Sequence, residues 1–480
     1  NMSSTDATWN FSLAPESKKL KFNSSYGHFI NGSFLKPEGK LFPVINPATE
    51  QEITRIPYAD AATVNRAFVS ARKSYERYWK KTSGLERGKY LYKLAEQLQG
   101  LSRDFAEAES LNTGKPIRES KGFDIPLSIQ HCMYYAGWAD KWKHVPVFSN
   151  REPYGVAAQI IPWNFPLWMA IWKIAPALAC GNTVVLKPAE TTPLTALMLA
   201  KVIQDCDFPP GVFNLLLGDG KTGKIMLQHP EPDKIAFTGS TEVGKQVQQE
   251  ALKLNKGLSL ELGGKGPQII FEDATLSEAI EGVIKGIFFN QGQVCCAGSR
   301  VLIHESVAEA WTAQLKKRIS KIRIGDPMDK NTEMGSLHSK VHYEKVMRLI
   351  KIGKSEKQTY FEHPLELPKA GYFCKPTVFT NMSSTHSLSR TEIFGPVLTL
   401  QTFRSVTEAI QMANNTPYGL SAGVWTTDMA LANAVSRQIQ SGVVWLNCFN
   451  VFDPAAPFGG YKESGFGREG GLQGLGEYLK

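Results

Sequence analysis

From Tyr154 onward the chain alternates between two kinds of segment. Short runs rich in β-branched residues, GVAAQII, NTVVLKP, GVFNLLLG, DKIAFTG and LSLELGG, are separated by amphipathic stretches such as Thr192 to Cys206. Near-continuous apolar runs of this length, each followed by a helical pattern, predict successive βαβ units around a parallel sheet. A second series, PQIIF, SRVLIH, LTLQTF, SAGVWTT and SGVVWLN, repeats the pattern. The chain therefore reads as α/β with two doubly wound, Rossmann-like domains, the break falling near Gly263 and Gly264. The N-terminal part has helical periodicity through Ala61 to Asn112 and is expected to wrap the first sheet. The longest apolar stretch, FPLWMAIWKIAPALAC (Phe165 to Cys180), holds Lys173 and Pro176. It falls short of the ~20 residues of a membrane span and predicts a buried helix.

Composition narrows the picture. At 480 residues and 42% hydrophobic content the chain exceeds one ordinary domain and is globular throughout. The formal charge of +9 arises from basic residues interspersed with acidic ones, which predicts a solvated basic surface and no nucleic-acid partner. The polar opening NMSSTDATWN carries no apolar signal core, so a cytoplasmic protein without a membrane partner is expected. The cysteines are seven, an odd number, and five of them (Cys132, Cys180, Cys206, Cys374 and Cys448) stand far apart, which argues against a disulfide framework. The histidines are isolated and Cys295 directly abuts Cys296, so no zinc spacing exists and no metal is expected. For that adjacent pair a reactive thiol or a core residue remains.

Several motifs carry candidate chemistry, each beside a plainer reading. GDGKTGK (Gly218 to Lys224) nearly spells a phosphate loop, but Ile225 stands where the magnesium-binding hydroxyl belongs, leaving a glycine-rich turn. FTGSTEVG (Phe237 to Gly244) sits between a strand and a helix, where helix-start amides can face a pyrophosphate. KPAE (Lys187 to Glu190) ends a strand at the same sheet edge, as a ribose-binding pair or a surface turn. In LELGGK, Glu261 closes an apolar strand, where desolvation raises a carboxyl's pKa and suits it to general base catalysis; a capping or ion-paired glutamate is the alternative. In IPWNFP, the Asn164 amide could donate to an oxyanion or cap the helix that follows.

Together IPWNFP, KPAE, FTGSTEVG, ELGGK, FNQGQVCCAGSR, EIFGPV, NNTPYGLSAGVWT and PFGGYKESGFGRE stand in the order and at about the separations of the aldehyde dehydrogenase superfamily. The chain resembles that superfamily from about Gly27 to Tyr478. The resemblance implies an NAD(P)-dependent, non-acylating dehydrogenase whose nucleophile is Cys295, two positions after Gln293, with Glu261 as the base that activates water. It further implies Asn164 as an oxyanion donor alongside the Cys295 N–H, and Lys173 with Glu469 as a proton relay to Glu261. Implied cofactor contacts are Lys187 and Glu190 at the adenosine ribose, Trp163 and the helix start at Ser240 near the phosphates, and also Ile161, Gly239 and Gly244. Glu392 and Phe394 fall at the nicotinamide ribose. The Glu190 carboxylate accepts from ribose hydroxyls and repels a 2′-phosphate, which favours NAD over NADP.

By the same resemblance Phe165, Trp168, Met169, Trp172, Phe289, Val294, Cys296, Phe452 and Phe458 line the substrate tunnel. These side chains are apolar, mostly aromatic, and include no arginine for a substrate carboxylate, so medium-chain aliphatic or aromatic aldehydes are expected over semialdehydes. A coenzyme-A-acylating relative would usually lack Glu261, and a catalytically silent one would not keep Cys295, Glu261 and Asn164 together. The expected division is a cofactor-binding domain over 1–133 and 152–263, a catalytic domain over 264–463, and an oligomerisation flap with tail over 134–151 and 464–480. The flap segment WADKWKHVPVFSNREPYG looks several residues shorter than in common tetramers, so a homodimer or monomer is expected. The closing FGGYKESGFGREGG also resembles tandem members, in which a silent second copy of the fold follows.

Overall fold

A computed structural model describes Leu13, Ala14 and residues 20–480. The first five apolar runs become the strands Val156–Ile160, Thr183–Lys187, Phe213–Leu215, Lys234–Thr238 and Gly257–Glu261, all mutually parallel. The first, second and fourth of these are buried along their whole length, as a sheet covered on both faces requires. The strands Phe29–Ile30 and Ser33–Phe34 extend this sheet antiparallel at one edge, and Gly465–Phe466 pairs with Leu260 and Glu261 at the other.

The second series builds a seven-strand sheet ordered Thr359–Glu362, Thr377–Thr380, Val397–Phe403, Arg300–His304, Pro267–Ile270, Ser421–Trp425, Val443–Leu446. Its pairings are parallel except that of Thr359–Glu362, a half-exposed edge strand whose polar composition hides it from the apolar pattern. The chain passes from one sheet to the other between Glu261 and Pro267, through Gly263 and Gly264. Two doubly wound sheets are thus present. A two-stranded hairpin, Leu41–Asn46 with Gln51–Pro57, is not evident from periodicity.

In the first sheet, winding reverses between Val156–Ile160 and Lys234–Thr238, which lie side by side. Ligand crevices form at the carboxyl ends of strands at such a switch point. The helices Ala61–Arg77, Gly84–Gly100, Ser102–Thr113 and Ile125–Trp138 pack around this unit. The helix Pro166–Cys180 is buried at every residue and ends at Gly181, whose φ of 102° suits a residue without Cβ. Among the described residues, no helix is long and apolar enough to cross a membrane.

The segment 134–151, expected as part of an oligomerisation flap, holds no strand. Its first residues finish the helix Ile125–Trp138, and Trp142–His144 and Pro146–Phe148 are single 3₁₀ turns. Pro146 fixes its own φ and lacks the N–H a ladder needs. The extended stretch lies just beyond, at residues 152–154, and pairs with this chain's own tail. The Glu152 and Lys480 N–H groups donate to each other's carbonyls, and Tyr154 N donates to Tyr478 O.

Candidate active site

The stretch FNQGQVCC follows the helix Leu276–Ile287 and turns through three consecutive left-handed residues, Asn290 (φ 48°), Gln291 (φ 57°) and Gly292 (φ 73°). Such conformations cost on the order of 1–3 kcal/mol for a side-chain-bearing residue and persist only where the surroundings impose them. Here the side chains impose them. Glu119 accepts from Asn290 N at 3.0 Å, and Asn290 Nδ2 donates to the carbonyls of Asn164 (3.0 Å) and Gln293 (3.1 Å). Gln291 donates to Ser336 O and accepts from Gly335 N, while Gln293 accepts from His338 N. At Gly292 a Cβ would lie 2.0 Å from the Gly395 carbonyl oxygen, so only glycine fits. The amides of FNQGQ thus act as anchors that deliver the chain rigidly to Cys295.

Cys295 lies on the wall shared by two cavities. One is an apolar tunnel lined by all nine side chains expected there, Phe165, Trp168, Met169, Trp172, Phe289, Val294, Cys296, Phe452 and Phe458. Phe123 and Asn450 join them. The tunnel is nearly filled, with about 10 Å³ of free space. The other is a cleft of about 200 Å³ at the switch point, lined by Trp163, Asn164, Gly239, Ser240, Glu392 and Phe394 among others. The Cys295 thiol is pushed well above its ordinary value by the adjoining Cys296 and by burial, with a smaller push from Glu392. Cys296 is buried, its sulfur 3.7 Å from Asn450 Oδ1.

Glu261 ends its strand between Thr238 and Gly465. It is buried, and neither of its carboxylate oxygens meets a hydrogen-bond donor among the described residues. Burial raises its pKa well above the carboxylate range, and the charges of Glu469 and Cys295 add to the rise. Lys173, on the buried helix, forms an ion pair with Glu469, whose second oxygen meets no donor among the described residues. Asn164 does not cap the helix that follows. Its Nδ2 donates to Gln293 O at 3.0 Å, while its own carbonyl accepts from Lys115 Nζ at 2.9 Å. Lys115 is also ion-paired with the buried Asp124 and stands 4.0 Å above the Phe165 ring centre.

The cleft gathers five of the nine residues expected at a cofactor, namely Trp163, Gly239, Ser240, Glu392 and Phe394. Glu392 accepts from Gly264 N at 2.9 Å and is pushed to about 7 by burial. Trp163 stacks on His338 with ring centres 3.4 Å apart and meets Phe394 edge-on at 5.3 Å. Ser240 caps the helix Thr241–Lys253. Gly263 leaves room for Glu392, whose carboxylate a Cβ there would displace. The other four are placed differently. Lys187, buried, gives its Nζ to the carbonyls of Pro188 and Gly218, and Glu190 is half-buried beside it. Ile161 N donates to Lys187 O, and Gly244 lets its helix approach Leu262.

Sequence reasoning missed several residues. Phe123 sits on a π-helical turn, Ser120–Asp124, and contacts four tunnel rings at 4.8 to 6.1 Å, with no periodic signal to expose it. Such turns recur at functional sites. His342 and Lys345 line the cleft from the helix Lys340–Ser355, where each reads as an ordinary surface residue of an amphipathic helix. No group of three metal-ligating side chains occurs among the described residues.

A family model described as the aldehyde dehydrogenase family matches residues 34–480. Retinal dehydrogenase 2 of Homo sapiens is 45% identical over 463 residues, covering 94% of this chain and 89% of that protein. An aldehyde dehydrogenase of Emericella nidulans is 44% identical over 476 residues, 97% of this chain and 96% of that one. Among solved structures, the NAD+ complex of aldehyde dehydrogenase from Bacillus cereus superposes with a TM-score of 0.93 at 41% identity, covering 98% of both chains. With the family model spanning nearly the whole chain, and a cysteine, a buried carboxylate and two cavities assembled at one point, the chain belongs to the aldehyde dehydrogenase family.

Proposed function

We propose that the protein oxidises medium-chain aliphatic or aromatic aldehydes to carboxylic acids with NAD and water. The observation that carries the reading is the placement of Cys295 on the wall between an apolar tunnel and a polar cleft. The family and the NAD+ complex of its Bacillus cereus relative support the choice of reaction and cofactor.

The residues of the cleft fit a dinucleotide. The helix start at Ser240 offers backbone amides to a pyrophosphate, and the Glu392 carboxylate is placed for ribose hydroxyls. Gly239 and Gly263 keep the walls clear of Cβ atoms. Glu190 disfavours a 2′-phosphate. The cofactor, when bound, supplies the hydride acceptor.

Cys295 acts as the thiolate, because the thiol is a weak nucleophile. Its resting pKa is raised, so the thiol first gives its proton to solvent, and each later hydrolysis returns the sulfur as the thiolate. Attack on the aldehyde carbonyl forms a thiohemiacetal whose oxyanion is held by the Asn164 amide and the Cys295 N–H. Asn164 Nδ2 keeps one hydrogen on Gln293 O and has a second to give. After oxidation the acyl group remains on Cys295 as a thioester. Glu261, desolvated and free of donors among the described residues, takes a proton from the attacking water and releases the acid.

A test is absorbance of NADH with hexanal, benzaldehyde and succinic semialdehyde, with and without coenzyme A. The expected result is turnover without coenzyme A and a higher kcat/KM for the first two. A preference for the semialdehyde would overturn the substrate class, and a requirement for coenzyme A would overturn hydrolysis. We also propose at most a homodimer, since residues 152–154 are already paired with the chain's own tail. A stable tetramer by light scattering would overturn that.

A further inference from the structure

Hydrolysis of a thioester leaves one proton on Glu261 in every cycle, at a buried carboxylate. That proton needs a way out. The face of the first sheet that meets the buried helix Pro166–Cys180 would ordinarily be apolar, and much of it is. Through it, however, runs a line of polar side chains. Parallel register places Lys234 level with Gly257 and Ala157, so Lys234, Gln159 and Glu261 share one face. Lys234 stands at the amino end of its strand and Glu261 at the carboxyl end of the next. Four residues at about 3.3 Å each separate the two levels, roughly 13 Å.

The groups between them are linked. Gln159 Nε2 donates to Lys173 O at 2.8 Å and to the Tyr478 hydroxyl at 3.0 Å. Lys173 holds Glu469, whose charge bears on Glu261 at one end and on Tyr478 at the other. Lys234 Nζ lies 5.9 Å from the Tyr478 ring centre, 5.7 Å from that of Tyr154, and 3.4 Å from Glu477 Oε2. The Lys234 side chain is 2% exposed, whereas that of Glu477 is 23% exposed and so opens to solvent. The groups that face Lys234 are therefore Glu477, Glu469, Lys173, Tyr154 and Tyr478. Burial lowers the Lys234 pKa to about 8, so its amine can both hold and release a proton near neutral pH. Isolated buried charges are costly, and a line of them leading from a catalytic base to the surface calls for a role beyond packing.

We propose that this line is a proton exit, in which Lys234 and Glu477 carry to solvent the proton that Glu261 takes from water. One proton passes from Glu261 to Glu469, then through the Tyr478 hydroxyl to Lys234 as Lys234 gives its own proton to Glu477. Glu477 releases it to bulk water, and every group ends the cycle in its starting state. Lys234 and Glu477 touch no substrate, so both are positioning and transfer residues. The inference rests on the hydrolytic reading above.

The test uses the full chain with Lys234→Arg, Lys234→Gln and Glu477→Gln. Arginine keeps a cation beside Glu477 but cannot release its proton. Lys234→Arg is expected to fold and to keep the first burst of NADH, while steady-state kcat falls about tenfold at low buffer concentration. Added imidazole or higher buffer restores the rate, and the solvent deuterium isotope effect rises. Glu477→Gln, at a partly exposed site, shows the same buffer-dependent defect. A Lys234→Arg enzyme with wild-type kcat, buffer dependence and isotope effect would show that the pair is only structural and would overturn the exit. If Lys234→Gln alone loses activity, through lost folding and without buffer rescue, the exit is likewise overturned. A wild-type protein that oxidises no aldehyde would overturn the parent reading, and the exit with it.

Discussion

Replacing Phe123 with alanine tests whether the tunnel is gated by one ring. The free space is about 10 Å³, no more than one water needs, whereas a cavity of roughly 150 Å³ holds a benzene. A hexyl or phenyl aldehyde cannot reach Cys295 through this tunnel until something moves. Phe123 is the candidate because it is half-buried, stands on a π-helical turn, and touches Phe165, Trp168, Phe289 and Phe452. Each aromatic contact contributes ~0.5–1.5 kcal/mol beyond the area it buries. Four of them, reduced because the ring already faces water on one side, put the cost of displacement at about 2 kcal/mol. Removing the ring removes that cost, so kcat/KM for hexanal and benzaldehyde should rise about 30-fold relative to acetaldehyde. The assay is initial NADH formation across straight-chain aldehydes, with cofactor affinity measured beside it as evidence of folding. A Phe123→Ala enzyme that binds cofactor normally yet keeps the wild-type chain-length profile would refute the gate.

Other expectations follow from the same geometry. Cys295→Ala should abolish dehydrogenase and esterase activity, whereas Cys296→Ala should stay within about tenfold of wild type, as steady-state kinetics will show. Glu261→Gln should reduce about one NAD per site and then stall as the acyl-enzyme, measured by rapid mixing, since only deacylation needs the base. Glu119 is held near 8 by burial, so between its unfolded pKa of about 4.5 and 8 the native state keeps a proton that the unfolded chain has lost. Stability from this group therefore falls as pH rises through that window, by about 1.4 kcal/mol per unit at most. Glu119→Gln should flatten the decline in Tm between about pH 5 and pH 8; an unchanged slope would clear Glu119 of the effect. Glu190→Ser should raise kcat/KM with NADP relative to NAD, because a carboxylate that repels a 2′-phosphate is gone.

The sheets are legible in the sequence because their strands are covered on both faces and are mostly apolar along their length. Val156–Ile160 and Lys234–Thr238 leave no ambiguity of that kind. The edge strand Thr359–Glu362 and the hairpin strand Leu41–Asn46 are not, since the first exposes its Thr359 and Tyr360 and the second is interrupted by the exposed Pro43. The tunnel residues are legible from motifs that keep fixed spacing along the chain. Phe123 is not, because its place depends on a local widening of the helix that no periodicity encodes. The extended stretch at residues 152–154 is not legible for a similar reason. The pairing partners of residues 152–154 are set by where the tail returns, over 300 residues later, and not by the segment itself.

The anchored turn before Cys295 also bears on how the enzyme comes into being. Its amides reach Glu119 and Asn164 on one side, and Gly335, Ser336 and His338 on the other, with chain separations of 171, 126 and about 45 residues. None of these partners is local, so the left-handed turn has only the bonds between Asn290 and Gln293 to hold it until both sheets have formed and docked. In refolding from denaturant, far-ultraviolet ellipticity should therefore recover well before activity, and the interval between them is the time needed to lock distant parts of the chain around one sulfur.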